Sequence, residues 1–152
     1  NVNKETFLMA SDLISYNIDF HKIYEYVLFN KSYAKHNLMK IALDRLELLH
    51  DGKIAFTYLL KEDFEKVGAM LGDHEGIVDV GRDIEGVEIS IFVRAIKGKG
   101  LKVSLRSNEK LDVDEIALLF GGGGHPKAAG FSINGDFEIV KEKILNEVRH
   151  YI

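Results

Sequence analysis

The chain has 152 residues, 46% of them hydrophobic, with a formal charge of −4 and a pI near 5.9. That length suits one ordinary domain, or a compact domain with an added helical piece. The acidic balance argues against binding long nucleic acid by bulk charge, while a local basic patch can still take a small anion. No apolar run approaches the ~18 residues of a membrane span, and no signal-peptide pattern opens the chain. The lack of cysteine excludes disulfides and thiolate metal sites and fits a cytoplasmic protein. The chain begins at Asn1 and enters a helical pattern almost at once, which reads as a piece of something longer.

From Glu5 to about Asn17, Phe7, Ala10 and Ile14 recur at helical spacing. Asp19 is placed to cap a second helix carrying Phe20, Ile23 and Val27 on one face, and Ser32 to cap a third. The third helix reads as the longest, with Leu38, Ala42, Leu46 and Leu49 as its stripe and Asp51-Gly52 as its stop. Beyond Gly52 the period changes to two. Ile54 to Leu60 reads as a strand, Lys61 to Met70 as a helix, Leu71 to Gly76 as a surface loop, and residues 77–84 as a strand or a short helix, with a helical turn preferred.

Val87 to Arg94 alternates, with Val87, Ile89, Ile91 and Val93 on one face and Glu88, Ser90, Phe92 and Arg94 on the other. Gly98-Lys99-Gly100 reads as a hairpin connection. Leu101, Val103 and Leu105 then point inward, opposite Lys102, Ser104 and Arg106. Asp112 or Asp114 starts a helix ending at Phe120, Ala129 to Ile133 is a strand, and Phe137, Val140, Ile144 and Val148 mark a last helix. The expected fold is α/β: a small sheet of about four strands with helices covering one face, preceded by a helical segment. Residues 1–50 read as that segment and 51–152 as the α/β domain.

The stretch that stands out is Gly121-Gly122-Gly123-Gly124-His125-Pro126-Lys127-Ala128-Ala129-Gly130-Phe131. A glycine run has no side chains to shield its amides, and loops of this kind can cradle an anion. Between Arg82 and Lys110, seven basic residues stand against four acidic ones in an otherwise acidic chain. Among them Arg106 is flanked by Ser104 and Ser107, so a guanidinium fork and hydroxyls are available beside the glycines. The run lacks the Gly-Lys-Ser/Thr ending of a Walker loop, and it precedes a strand where a dinucleotide fingerprint would precede a helix. The candidate binding residues are therefore Ser104, Arg106, Ser107, Gly122, Gly123, Gly124 and His125. His125 is open to roles as general acid, phosphate donor or metal ligand. Asp73-His74-Glu75 reads as surface, because adjacent residues rarely all reach one ion.

GGGGHPKAAGF, with KVSLRS and VDEIALLF before it, resembles the signature of the DHH-associated domain. The resemblance is greatest to the branch of nano-RNA and pAp phosphatases, which also contains cyclic-di-AMP phosphodiesterases. It implies a substrate-binding half that holds nucleotide phosphate through Arg106, the glycine loop and His125. The implied partners are a short oligonucleotide or small nucleotide (pAp, nano-RNA or cyclic-di-AMP) and the N-terminal DHH domain of a parent chain, with a homodimer left open and no membrane. The two divalent ions of the family, usually Mn2+, would sit on that other half. This chain has no Asp-His-His triplet, so no catalytic residue and no cofactor is assigned to it, and it is expected to hydrolyse nothing alone. Ala95 follows Arg94 where the branch often has an acid, so no role is carried onto Arg94. The alternative is a non-catalytic RNA-binding module like that appended to alanyl-tRNA synthetases.

Overall fold

The computed structural model describes residues 2–70, 72–96, 98, 100–108 and 111–152. Part of the Gly98-Lys99-Gly100 connection, Leu71 of the expected surface loop, and Lys97, Lys99, Glu109 and Lys110 of the charge count lie outside the described residues. The described residues divide into two compact units, 1–32 and 33–152.

The first unit holds two helices, α1 (Lys4–Ser15) and α2 (Phe20–Leu28). Asn3 caps α1 through the Thr6 amide, and Asp19 caps α2 through the Lys22 amide, as the short polar side chains before each apolar run require. Neither helix buries a residue.

The second unit is a six-stranded mixed sheet with helices on both faces. In chain order it comprises α3 (Tyr33–Asp44), β1 (Glu47–Leu49), β2 (Ile54–Leu59), α4 (Lys61–Val67), α5 (Ile77–Arg82), β3 (Ile89–Ala95) and β4 (Gly100–Ser107). Then follow α6 (Val113–Leu119), β5 (Gly123–His125), β6 (Ala128–Asn134) and α7 (Phe137–Val148), with a terminal 3-10 turn at Arg149–Tyr151. The strand order is β1-β2-β3-β4-β6-β5. Among the described residues only β2 and β3 pair in parallel, which is why the α4–α5 crossover lies between them.

Two of the six strands differ from the expectation of about four. Leu46 and Leu49 continue the helical spacing of α3, yet the helix stops at Asp44 and Glu47–Leu49 folds back on β2. The reason is the turn. His50, Asp51 and Gly52 all have positive φ, so Asp51-Gly52 closes a hairpin and does not end a helix. The second added strand is β5, inside the glycine run.

One face carries the main core, where Phe56, Ile91, Val103 and Phe131 of the strands meet Ile116 of α6 and Ile144 of α7, all nearly solvent-free. The alternation of β3 and β4 sends their other side chains to the opposite face. There Phe92 and Leu59 form a smaller core with Leu38 and Ala42 of α3 and Ile77 and Val78 of α5. The helices thus cover both faces, not one. The face of β3 that carries Ser90 and Phe92 is buried too, because Phe92 packs with residues of α3 and α5. Gly81 lets α5 lie against Ser90 and Ala55, where any Cβ would collide. The guanidinium of Arg45 grips the buried Asp63 carboxylate with two bonds of 2.6 and 2.9 Å, and the Leu60 amide donates to the same carboxylate. This ties the end of α3 to the start of α4.

Candidate functional site

The glycine run divides into two structural parts. Gly121 has φ +73°, its amide donates to Leu118 O, and the Gly122 amide donates to Ala117 O. These two bonds close α6 as a Schellman cap, with Gly121 in the left-handed position that only glycine takes without strain. The Gly122 amide is therefore occupied by the helix, against the expectation of a bare nest along the whole run. Gly123 and Gly124 enter β5, an edge strand paired only to β6, so alternate amides along it face away from the sheet. At Gly124 and Gly122 the lack of a side chain is a packing requirement as well. A Cβ on Gly124 would lie 2.6 Å from Ala129 Cα, and one on Gly122 would strike Gly130 O and Phe131.

His125 and Arg106 share a row. Arg106 pairs with Ala128 across β4 and β6, and Ala128 pairs with His125 across β6 and β5. Directly opposed residues point to the same face, so two long polar side chains flank a methyl group. Their backbones are separated by two strand spacings, about 9.5 Å. The next row holds Ser104, Gly130 and Gly123, which leaves the surface beside them low. Arg106 and Ser104 are half-buried, and His125 is exposed. Arg106 is not free: its Nε lies 3.3 Å from Asp79 Oδ1, and its Nη1 donates to Leu105 O. Asp79 also pairs with Arg82 at 3.1 Å.

Ser107 is not brought to this face. It is 4% exposed, and its hydroxyl sits between Leu111 O at 2.7 Å and Pro126 O at 3.1 Å. Its role is to fasten the turn that presents His125. The Val113 amide donates to the same Pro126 carbonyl, and Lys127 Nζ donates to Asn108 O and Leu111 O. The stacked rings of Phe120 and Phe131, 4.4 Å apart, anchor the other side of the run.

Sequence reasoning missed three residues. Asp79 lies in a six-residue helix with no motif around it. Asp114 Oδ1 is buried beside Gly123 without a partner among the described residues. His74, expected on the surface, is half-buried between Phe64 and Phe92, with ring centroids 6.3 and 6.4 Å away. Burial, and then the Arg94 cation, push the His74 imidazole below its usual pKa, and burial lowers that of the Arg94 guanidinium. Among the described residues no three His, Asp or Glu side chains gather as a metal ion would require, so no step is derived through a metal on this chain. No described helix is long and apolar enough to cross a membrane.

The chain is 33% identical over 151 residues to the bifunctional oligoribonuclease and PAP phosphatase NrnA of Thermus thermophilus, covering 98% of this chain and 44% of that protein. It is 27% identical over 137 residues to the protein of the same name from Bacillus subtilis, covering 88% of this chain and 41% of that one. Among solved structures, an exopolyphosphatase-related protein from Bacteroides fragilis superposes with a TM-score of 0.90 at 31% identity, over 98% of this chain and 44% of that one. The pGpG-specific phosphodiesterase PggH from Vibrio cholerae shares the fold, with a TM-score of 0.57 at 16% identity over 79% of this chain and 41% of that one. The chain thus spans less than half the length of the relatives it matches. The family model of the DHHA1 domain matches residues 51–152, and the chain belongs to that family of DHH-associated domains.

Proposed function

We propose that this chain is the substrate-binding portion of a DHH-family phosphoesterase that acts on short oligonucleotides or small nucleotides. The observation that carries the reading is the row Arg106–Ala128–His125, which sets a cation and an imidazole on either side of a small residue, next to a glycine edge strand. A phosphate lying over Ala128 would take charge-assisted bonds from Arg106 and a bond from His125. Ser104 and Gly130 leave room for the adjoining sugar. The names of the relatives, oligoribonuclease and PAP phosphatase, support nucleotides as the ligand class. In this reading residues 1–50 connect to a second domain. That domain holds divalent ions, Mn2+ by family resemblance, which supply the activated water, and this chain contributes grip and orientation. The parent would be a cytoplasmic exonuclease and phosphatase, with pAp, nano-RNA and cyclic-di-AMP as candidate substrates.

The test is calorimetric titration of pAp and of a 5′-phosphorylated dinucleotide into the chain. Arg106→Gln and His125→Ala should each weaken binding by about tenfold or more, the scale of a lost hydrogen bond to a charged group. Unchanged affinity in both variants would sink the assignment. Binding of folded RNA without binding of dinucleotides would favour the synthetase-type module.

A further inference from the structure

A cavity of about 590 Å³ lies beside the C-terminal end of β3, bounded by Phe64 of α4, by Met70 and His74, and by Arg94 and Ile96. Its volume falls in the usual range for small-molecule sites, ~300–1,000 Å³. The lining is mixed in a specific way. Phe64, Met70 and Ile96 offer apolar surface and Lys61 and Glu65 of the lining pair with each other at 3.2 Å, whereas Arg94 brings a half-buried cation with no carboxylate partner among the described residues. His74 Nδ1 is buried and likewise lacks a hydrogen-bond partner there. An unpaired, partly desolvated guanidinium beside an unsatisfied ring nitrogen and aromatic edges suits an anionic ligand that also carries a flat apolar group.

The position of the cavity narrows the ligand. Arg94 pairs with Lys102, and Arg106 pairs with Ser90, on the same two strands. Four residues of β3 therefore separate the cavity arginine from the Arg106 row, on the order of 13 Å. Arg106, Ser104 and Lys102 occupy alternate positions of β4 on that face, about 6.6 Å apart. That step is comparable to the phosphate spacing of an extended single strand. The polar and cationic residues therefore form a track from the His125–Arg106 row to the cavity.

We propose that the cavity is a second nucleotide subsite, which takes the base and phosphate of a nucleotide two steps along the strand from the one held at Arg106 and His125. The base lies against Phe64 and His74, and Arg94 meets the phosphate. This rests on the nucleotide-binding reading above and adds to it a preference for ligand length. A dinucleotide ends short of the cavity, and a trinucleotide reaches it.

The experiment titrates 5′-phosphorylated di-, tri- and tetranucleotides into the chain, its Arg94→Gln variant and its Met70→Glu variant. Met70 is 76% exposed, so Met70→Glu places a repelling charge at the cavity without disturbing the core. The chain should bind the trinucleotide about tenfold or more tightly than the dinucleotide, from the charged contact and one stacked base. Both variants should lose this advantage while keeping dinucleotide affinity within about twofold. A length advantage that is absent, or that survives both substitutions, overturns the subsite alone if Arg106→Gln still weakens dinucleotide binding by about tenfold or more. Failure of every oligonucleotide to bind overturns both readings.

Discussion

Asp79 Oδ1 lies 3.3 Å from Arg106 Nε, so a carboxylate from α5 occupies the guanidinium that faces His125 across Ala128. A phosphate arriving at this row competes with Asp79 for the same cation. Asp79→Asn removes the competitor and should tighten pAp binding by up to about fivefold, because a partly exposed ion pair is worth ~1 kcal/mol or less. Calorimetry at low and moderate salt reads it. Weaker binding in the variant would show that Asp79 orients Arg106 and does not compete for it.

The close packing of β4 on β6 at the site depends on Gly130. A Cβ there would stand 2.6 Å from Val103 O, which is backbone and cannot swing away. Gly130→Ala should therefore cost about 1–3 kcal/mol in urea unfolding, the range of overpacked interiors. Ser132→Ala, two residues along the same strand and exposed, should change stability by under ~0.5 kcal/mol.

Asp63 is 6% exposed and accepts both Arg45 bonds and the Leu60 amide. Asp63→Ala would leave a partly buried guanidinium and an amide unpaired, which should cost about 3 kcal/mol, at the lower end for broken buried pairs. Arg45 keeps its place over the Tyr58 ring, 4.7 Å from the centroid, so the loss should fall short of unfolding. Thermal unfolding monitored by circular dichroism measures it.

His74 makes stability depend on pH. Its folded pKa lies below the ordinary value, through burial first, then Arg94 and Lys35, against the opposite pull of Glu75 and Asp73. As pH falls below about 6.5, the unfolded chain takes up a proton that the folded one resists, so stability drops through that window down to the folded pKa. The melting temperature should be lower at pH 5 than at pH 7, and His74→Gln should flatten the dependence. An unchanged slope in the variant would assign the effect to other groups.

The long strands were legible because an apolar residue at every second position marks the face turned to the main core. The alternation of Val87–Arg94 and Leu101–Ser107 records that burial directly, and their faces came out as the spacing implies. The glycine run with His125 was legible as the distinctive stretch, and with KVSLRS it pointed to the family now shown by the match over residues 51–152. β1 and β5 were not legible, because each is three residues long and too short to show a period. Leu46 and Leu49 kept a helical spacing that the positive-φ turn at His50–Gly52 overrides. The run reads locally as one loop whose bare amides can cradle an anion. Only the end of α6 against Gly121 and Gly122 decides that half of it is a helix cap.

By itself, then, the sequence determined the alternating strands, the helices and the candidate stretch, all of which are patterns local to one segment. Tertiary structure decided which side chains are brought together: Asp79 onto Arg106, His74 near Arg94, and Arg106 and His125 on either side of Ala128. Those pairings join residues on different elements. Their energies depend on distance and desolvation, which no spacing along a single segment encodes.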